Sequence, residues 1–178
     1  MTQKKTDIAN WALRRMYDFH YPADFQDTEF AYLAGILDGE GSVTILRTWK
    51  KPRQADILQP QVTIYNTDMT LIDWLRDRVG FKIGGRNRAQ AGKGNKMVWF
   101  MQIWGLKTWG VVEPLLPYLK IKLPQTKILM AFVEHRATSP YNAPYNQKDI
   151  ALYEEMQRLN WRGSSPFKPR KLRGRPMI

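Results

Sequence analysis

Two acidic residues in the first third of the chain have the chemistry to bind a metal ion. Asp38 and Glu40 stand at the C-terminal end of a predicted helix over residues 30–38, which stops at the turn over residues 39–41. A helix C-terminus already carries partial negative charge, so further carboxylates there indicate a nearby cation. Carboxylate oxygens suit a hard ion of the Mg²⁺ type, which polarises phosphoryl oxygens and activates water. Asp-Gly and Glu-Gly pairs are equally typical of ordinary helix ends and turns.

One face of this helix consists almost entirely of small residues. A second helix can approach such a face backbone to backbone. If two copies of the chain pack in this way, their acids converge at one end and four carboxylates meet. The interface of such a dimer would contain Ala31, Ala34, Gly35 and Asp38.

The segments around the helix alternate between strand and helix patterns. Period-two alternation predicts a hairpin from residues 42–49 and 61–65, joined by a long basic loop, and a second hairpin from 81–88 and 96–104. Further helices are predicted over 67–79, 105–116, 124–136 and 148–160. The order indicates an α+β fold with an antiparallel sheet covered on one face. We expect a domain over 27–160, an N-terminal extension with a short helix over 1–26, and a flexible basic tail over 161–178.

The charge of the chain indicates a polyanionic partner. The 178 residues carry a formal net charge of +12, and residues 80–123 hold eight bases and a single acid. The chain has no cysteine and two histidines, which excludes thiol nucleophiles, thiolate zinc sites and histidine-rich metal clusters. No segment resembles a membrane span or a secretory signal. We expect an intracellular protein of an organelle (chloroplast or mitochondrion) or a microbial cytoplasm, neither secreted nor bound to a membrane, with no small-molecule cofactor.

Polar and basic residues on the predicted strands form a candidate surface for reading DNA. Arg can bind guanine with two hydrogen bonds, and Gln can bind adenine in the same way. An ordinary solvated strand face is the alternative. The candidate base readers are Thr44, Gln61, Thr63, Arg86, Arg88, Lys96 and Gln102. The candidate phosphate contacts are Lys50, Lys51, Arg53, Lys120 and the basic tail.

The segment Leu33-Ala-Gly-Ile-Leu-Asp-Gly-Glu-Gly41 resembles the nine-residue signature of the LAGLIDADG homing endonucleases. The resemblance extends over the order of elements from residue 30 to residue 136. It implies an αββαββα core, a saddle-shaped antiparallel sheet in the DNA major groove, and dimerisation through the motif helix. A single copy of the signature implies a homodimer that cuts a long, near-palindromic double-stranded DNA site. Glu40 is then the Mg²⁺ ligand, with Mn²⁺ able to substitute, the Gly39 carbonyl assists, and Asp38 is a further candidate ligand that supports the helix end.

Two further catalytic residues are implied by the same resemblance. Lys122 matches the basic residue near the scissile phosphate, with Lys120 as a rival for that role, and Asn66 matches a polar residue that orients water. The sequence around Asn66 is equally consistent with a helix cap that Asn66 forms with Asp68. The predicted activity is metal-dependent hydrolysis of DNA phosphodiesters. The alternatives are the same fold without cleavage, as an RNA intron maturase or a DNA-binding regulator, and a basic architectural DNA-binding protein.

Overall fold

Four antiparallel strands form a single sheet at the centre of the molecule. The computed structural model describes residues 14–50, 55–87, 97–140, 143–169 and 172. The strands are β1 (Gly41–Lys50), β2 (Ala55–Asn66), β3 (Ile83–Asn87) and β4 (Met97–Trp104), in the order β1-β2-β4-β3. Two hairpins thus lie side by side, with β2 and β4 paired at the centre. The predicted α+β fold with an antiparallel sheet is confirmed.

Five α-helices and a short 3₁₀ helix (Glu113–Leu115) accompany the sheet in the described part of the chain. The α-helices are α1 (Asp27–Glu40), α2 (Met69–Val79), α3 (Thr108–Val112), α4 (Leu123–Thr138) and α5 (Gln147–Leu159). Local signals set their ends: the Asp68 carboxylate accepts the Thr70 N–H at 2.8 Å at the start of α2, and Gly80 ends that helix with a φ of 73°. In the described part of the chain, no helix is long and apolar enough to cross a membrane.

The two faces of the sheet differ because side chains alternate along each strand. One face carries Val43, Ile45, Val62, Ile64 and Met101, which are buried in one core with residues of the helices. The opposite face, which we call the outer face, lies outside that core. By strand alternation and register, its members are Ser42, Thr44, Leu46, Thr48 and Lys50 of β1, Ala55, Ile57, Gln59, Gln61, Thr63 and Tyr65 of β2, Val98, Phe100, Gln102 and Trp104 of β4, and the positions of Gly84 and Arg86 in β3.

The first hairpin is longer than the sequence patterns indicate. The predicted loop over residues 50–60 is wrong, since β1 continues to Lys50 and β2 already begins at Ala55. Asp56 and Leu58 are buried and continue the alternation of the strand. The Pro60 carbonyl accepts the Gly105 N–H, so the backbone polar groups of Pro60 face the side of β4. The β4 pairing ends at Trp104, opposite Gln61, so no strand residue lies beside Pro60 on that side and the missing N–H of the proline costs no pairing bond.

The chain segments outside residues 27–160 also contribute to the packing. Met16 is buried, the Phe19 ring stacks on that of Phe81 at 5.1 Å, and the Tyr21 hydroxyl donates to the Val111 carbonyl at 2.8 Å. Near the other end, Leu172 packs against the core. The described parts of both terminal segments therefore pack onto the body formed by residues 27–160.

Candidate active site

The C-terminal end of α1 passes directly into the first strand of the sheet. The helix includes Gly39 and Glu40, so it is two residues longer than expected, and β1 begins at Gly41. The Gly41 N–H donates to the Leu37 carbonyl. A side chain at position 41 would place its Cβ less than 3.0 Å from the Leu37 carbonyl oxygen, so the junction requires glycine. This close contact fixes Glu40 at the meeting point of helix and sheet.

Asp38 binds a distant segment of its own chain. Its Oδ2 accepts the backbone N–H groups of Lys120 at 2.8 Å and Ile121 at 3.1 Å, and its Oδ1 accepts that of Lys122 at 2.7 Å. These residues lead directly into α4, whose first N–H groups have no partner within the helix. Both carboxylate oxygens are occupied by these bonds. Asp38 is therefore placed to position the segment 120–122, and its role as a metal ligand stays a prediction.

The pKa of Asp38 reflects two opposed effects. Partial burial removes water from the carboxylate and raises the pKa. The backbone N–H groups of Lys120, Lys122 and Ile121, together with the positive charge of Lys122, outweigh this effect. The net result is a pKa below the ordinary value for aspartate, so the carboxylate is ionised and holds its three donors at neutral pH.

Lys122 supplies the cation that the helix dipole predicts at this end of α1. Its Nζ donates to the backbone carbonyl of Asp38 at 2.9 Å, and the side chain is half-buried. No basic residue lies in the last turn of α1 itself. The charge that complements the helix end therefore comes from a residue 84 positions later, and its ammonium group binds the helix two residues before Glu40.

Glu40 is the free carboxylate of the site. Its side chain is exposed, and it has no hydrogen bond or ion pair with any residue that the structure describes. Gly39 is exposed beside it, with open space where a Cβ would be. The described ranges contain no group of three or more acidic, histidine or cysteine residues able to hold a metal ion. One protomer therefore offers one free carboxylate and nearby carbonyl oxygens, which are hard donors suited to Mg²⁺.

Asn66 lies near this site and already has a structural partner. The register pairs Gly41 with Ile64, so Asn66 ends β2 close to the level of Glu40. Its Oδ1 accepts the Asp68 N–H at 2.8 Å, which supports the start of α2. This contact is the helix cap that the sequence predicts as the alternative role of Asn66. The Asn66 side-chain nitrogen has no partner in the described part of the chain. The Lys120 side chain is exposed nearby.

The small-residue face of α1 is only partly available to a second molecule. Ala31 and Gly35 are exposed, and nothing lies within 4 Å of a Cβ built at Gly35. Ala34 is fully buried in the core of its own protomer, so including it in the interface is wrong. Asp38 is directed to residues 120–122 and also does not belong to the open part of this face. Tyr32, which sequence spacing missed, is exposed beside Ala31.

The predicted base readers of the first hairpin and of β4 share the outer face. Thr44 pairs with Gln61, and Thr63 pairs with Gln102. Gln61 and Thr63 are only 8% and 3% exposed because neighbouring strands flank them. Lys50 lies at the far end of β1 from Glu40, about 30 Å away along the strand. Arg86 lies opposite Val98 in β3, at the margin of this face. Lys51, Arg53, Arg88 and Lys96 lie outside the described residues.

The sequence analysis missed a set of large apolar side chains on the same face. Leu46, Tyr65 and Trp104 are 42%, 38% and 49% exposed, and the Tyr65 ring lies 5.9 Å from that of Phe100. The signal that could have identified them is the strand alternation itself. It assigns Leu46 to the same face as Thr44, and Trp104 to the same face as Gln102.

Comparison with solved structures identifies proteins of the same fold. No family model and no curated protein sequence matches the chain. The structure of the homing endonuclease I-CvuI in complex with its target is similar with a TM-score of 0.59 and 17% identity, over 79% of this chain and 87% of that one. The archaeal intron-encoded homing endonuclease I-Vdi141I, complexed with DNA, gives 0.60 and 14% over 80% and 90%. The group I intron-encoded homing endonuclease I-CeuI, also complexed with DNA, gives 0.60 and 13% over 86% and 78%.

Proposed function

We propose that this chain, which has the fold of the LAGLIDADG homing endonucleases, is a divalent-metal-dependent endonuclease that cuts both strands of a long, near-palindromic DNA site as a homodimer. The observation that carries the proposal is the exposed carboxylate of Glu40, which has no partner among the described residues and ends the helix that is open at Ala31 and Gly35. The net charge of +12 and the DNA complexes of the structurally similar proteins support DNA as the substrate.

Glu40 and the carbonyl oxygen of Gly39 would hold Mg²⁺, and Mn²⁺ would substitute for it. A bound ion of this type polarises a phosphoryl oxygen and lowers the pKa of its water. A carboxylate with no competing partner among the described residues is available to such an ion. Since the described residues of one protomer supply a single free carboxylate at this site, the proposed assembly brings in the Glu40 carboxylate of a second protomer.

Lys122 and Asp38 act beside the metal ligand in this proposal. Lys122 places an ammonium group at the end of α1, where it neutralises charge on the phosphate to be cut. Asp38 is a positioning residue, because its three backbone hydrogen bonds fix the segment that carries Lys122. Asn66 keeps a free amide nitrogen that can orient a water molecule, while Lys120 and Lys50 bind phosphates away from the cut.

Dimerisation completes the proposed site. Ala31 and Gly35 would form the contact between two copies of α1, because only at exposed small residues can two helix backbones approach closely. The two outer faces then lie on either side of a two-fold axis. A long DNA site whose two halves are related by that axis is the substrate that fits.

The experiment that tests the proposal compares Glu40→Gln with Glu134→Gln, which changes an exposed glutamate on α4. Glu40→Gln should lower the cutting rate by about 10²-fold or more, because amide oxygen is a poor Mg²⁺ ligand, while binding of the DNA site changes little. Glu134→Gln should cut like the unmodified chain. Retention of full cutting by Glu40→Gln would place the metal elsewhere.

A further inference from the structure

The outer face is dominated by amide, hydroxyl and apolar side chains. Among the side chains of β1, β2 and β4 that the structure describes on this face, Lys50 at the end of β1 is the single charged group, and Arg86 of the edge strand β3 lies at the margin, opposite Val98. Leu46, Tyr65 and Trp104 are large, apolar and 38–49% exposed. A DNA-binding surface built to read guanine would present Arg or Lys at its centre. The central strands β2 and β4 present glutamine, threonine and aromatic side chains instead.

Three glutamines on the face have free side-chain amides. Gln59, Gln61 and Gln102 make no side-chain hydrogen bond with any residue in the described ranges. An amide group carries one acceptor and two donor hydrogens, so three such groups can bind a partner through paired hydrogen bonds. The face also carries the hydroxyls of Ser42, Thr44, Thr48 and Thr63, which bind any base.

Each of these amides has a large apolar neighbour. The register places Gln59 opposite Leu46 and Gln61 opposite Trp104. Gln102 lies between Phe100 and Trp104 on one face of β4, because alternate residues of a strand share a face. Neighbouring strands are about 4.8 Å apart, and alternate residues of one strand about 6.8 Å apart. An amide and an apolar group are thus within reach of a single base pair.

An adenine–thymine pair presents the matching groups in the major groove. Adenine offers the N7 acceptor and the N6 donor to which a glutamine amide binds with two hydrogen bonds. Thymine offers its C5 methyl group, which contacts apolar side chains. A guanine–cytosine pair has no methyl group and gives the amide a poorer match.

We propose that the outer face reads an A·T-rich half-site, in which Gln59, Gln61 and Gln102 bind adenines while Leu46, Tyr65 and Trp104 contact thymine methyl groups. The inference rests on the proposed function and goes further by naming the base composition of the substrate. Arg86, in the edge strand β3 opposite Val98, stays a predicted reader at the margin of this face.

The first part of the test selects bound sites from a randomised double-stranded DNA library with the full chain in Ca²⁺. The half-sites recovered should be A·T-rich at the protected positions. Replacing the thymines of a recovered site by uracil removes only the methyl groups. It should weaken binding by about fourfold for each methyl group that touches the protein, as expected for burial of one carbon group.

The second part assigns the methyl groups to the residues that bind them. Leu46→Ala should weaken binding of the site that contains thymine. At one position of each half-site, DNA with uracil in place of thymine should bind the variant nearly as well as it binds the unmodified chain. Trp104→Ala should do the same at a different position. Met69→Ala is the control, because Met69 is 41% exposed, like Leu46, but lies on α2. This variant should keep the full difference between thymine and uracil DNA.

The outcomes separate this inference from the proposed function. G·C-rich recovered sites, or equal binding of thymine and uracil DNA, would overturn the inference while leaving the endonuclease proposal intact. Failure to retain any double-stranded DNA would overturn both. Loss of DNA binding with capture of a second protein chain by the apolar residues would also overturn the inference.

Discussion

Asp38 and Lys122 hold each other at the end of α1 through two different hydrogen bonds. The Lys122 backbone N–H donates to the Asp38 carboxylate at 2.7 Å, and the Lys122 Nζ donates to the Asp38 backbone carbonyl at 2.9 Å. The two residues are 84 positions apart, so this pair joins the helix end to the start of α4. The position of the lysine charge relative to Glu40 is therefore set by tertiary structure.

Lys122→Met should lower the cutting rate by about 10²-fold, because it removes a fixed charge from the scissile phosphate. The variant keeps a long side chain and the backbone bond to Asp38, so the fold should be retained. The measurement is single-turnover cleavage of the bound DNA site. Lys127→Met, at an exposed position of α4, is the matched control and should cut normally. Equal rates for the two variants would remove Lys122 from the site.

Gly41→Ala should destabilise the protein by about 1–3 kcal/mol, because the new Cβ would overlap the Leu37 carbonyl. Gly39→Ala, two residues earlier, meets no atom within 4 Å and should leave the protein as stable or up to about 1 kcal/mol more stable. Chemical denaturation without metal measures both free energies of unfolding. Similar values for the two variants would show that the helix-to-strand junction is looser than the structure describes.

Gly35→Leu should convert dimers into monomers without unfolding the chain. The protomer has open space at this position, whereas two helices in close contact would have none. Light scattering during gel filtration gives the mass directly. Ala151→Leu, at an exposed position of α5, should remain dimeric. An intact dimer of Gly35→Leu would exclude this face as the interface.

Stability should fall in acid through the pair of Glu29 and Arg78. Both carboxylate oxygens of Glu29 accept guanidinium N–H groups at 2.8 Å. The Arg78 hydrogen bonds and the Gln26 N–H lower the Glu29 pKa from 4.5 to about 2. A depressed folded-state pKa stabilises the fold above the ordinary value and loses that effect as pH falls through the folded value.

The melting temperature of the unmodified chain should therefore exceed that of Glu29→Gln at neutral pH. The difference should shrink as pH falls from about 4.5 towards about 2. Thermal denaturation across this range measures it. A difference that is independent of pH would mean that the pair acts through packing alone.

The order of helices and strands was predictable from local patterns, because each element carries its own periodicity and end signals. The extent of β2 was not, since Pro60 disfavours a strand unless the neighbouring strand ends beside it, as β4 does. Sequence spacing placed Ala31, Ala34 and Gly35 in one stripe. Ala34 lies about 60° from Ala31 around the helix. Only the packing of the core decides whether a residue at this angle is buried in its own protomer or exposed to a second one.

The different roles of the two acidic residues of the site also could not be predicted from local sequence. Asp38 and Glu40 have similar chemistry and lie two residues apart, so their sequence context does not separate their roles. The contact that separates them comes from residues 120–122. The family resemblance assigns Lys122 to the site, which stays a prediction, whereas its bond to the Asp38 carbonyl has no signal in the sequence.

Cleavage of a randomised double-stranded DNA library is the measurement on which the proposed function depends. The full chain is incubated with the library in Mg²⁺, in Ca²⁺ and without metal, and the cut ends are sequenced. We expect one long, near-palindromic site to be cut on both strands in Mg²⁺ and to remain uncut without metal. Binding of DNA without cleavage in Mg²⁺ would contradict the proposed function and would favour a DNA-binding regulator or a maturase of the same fold.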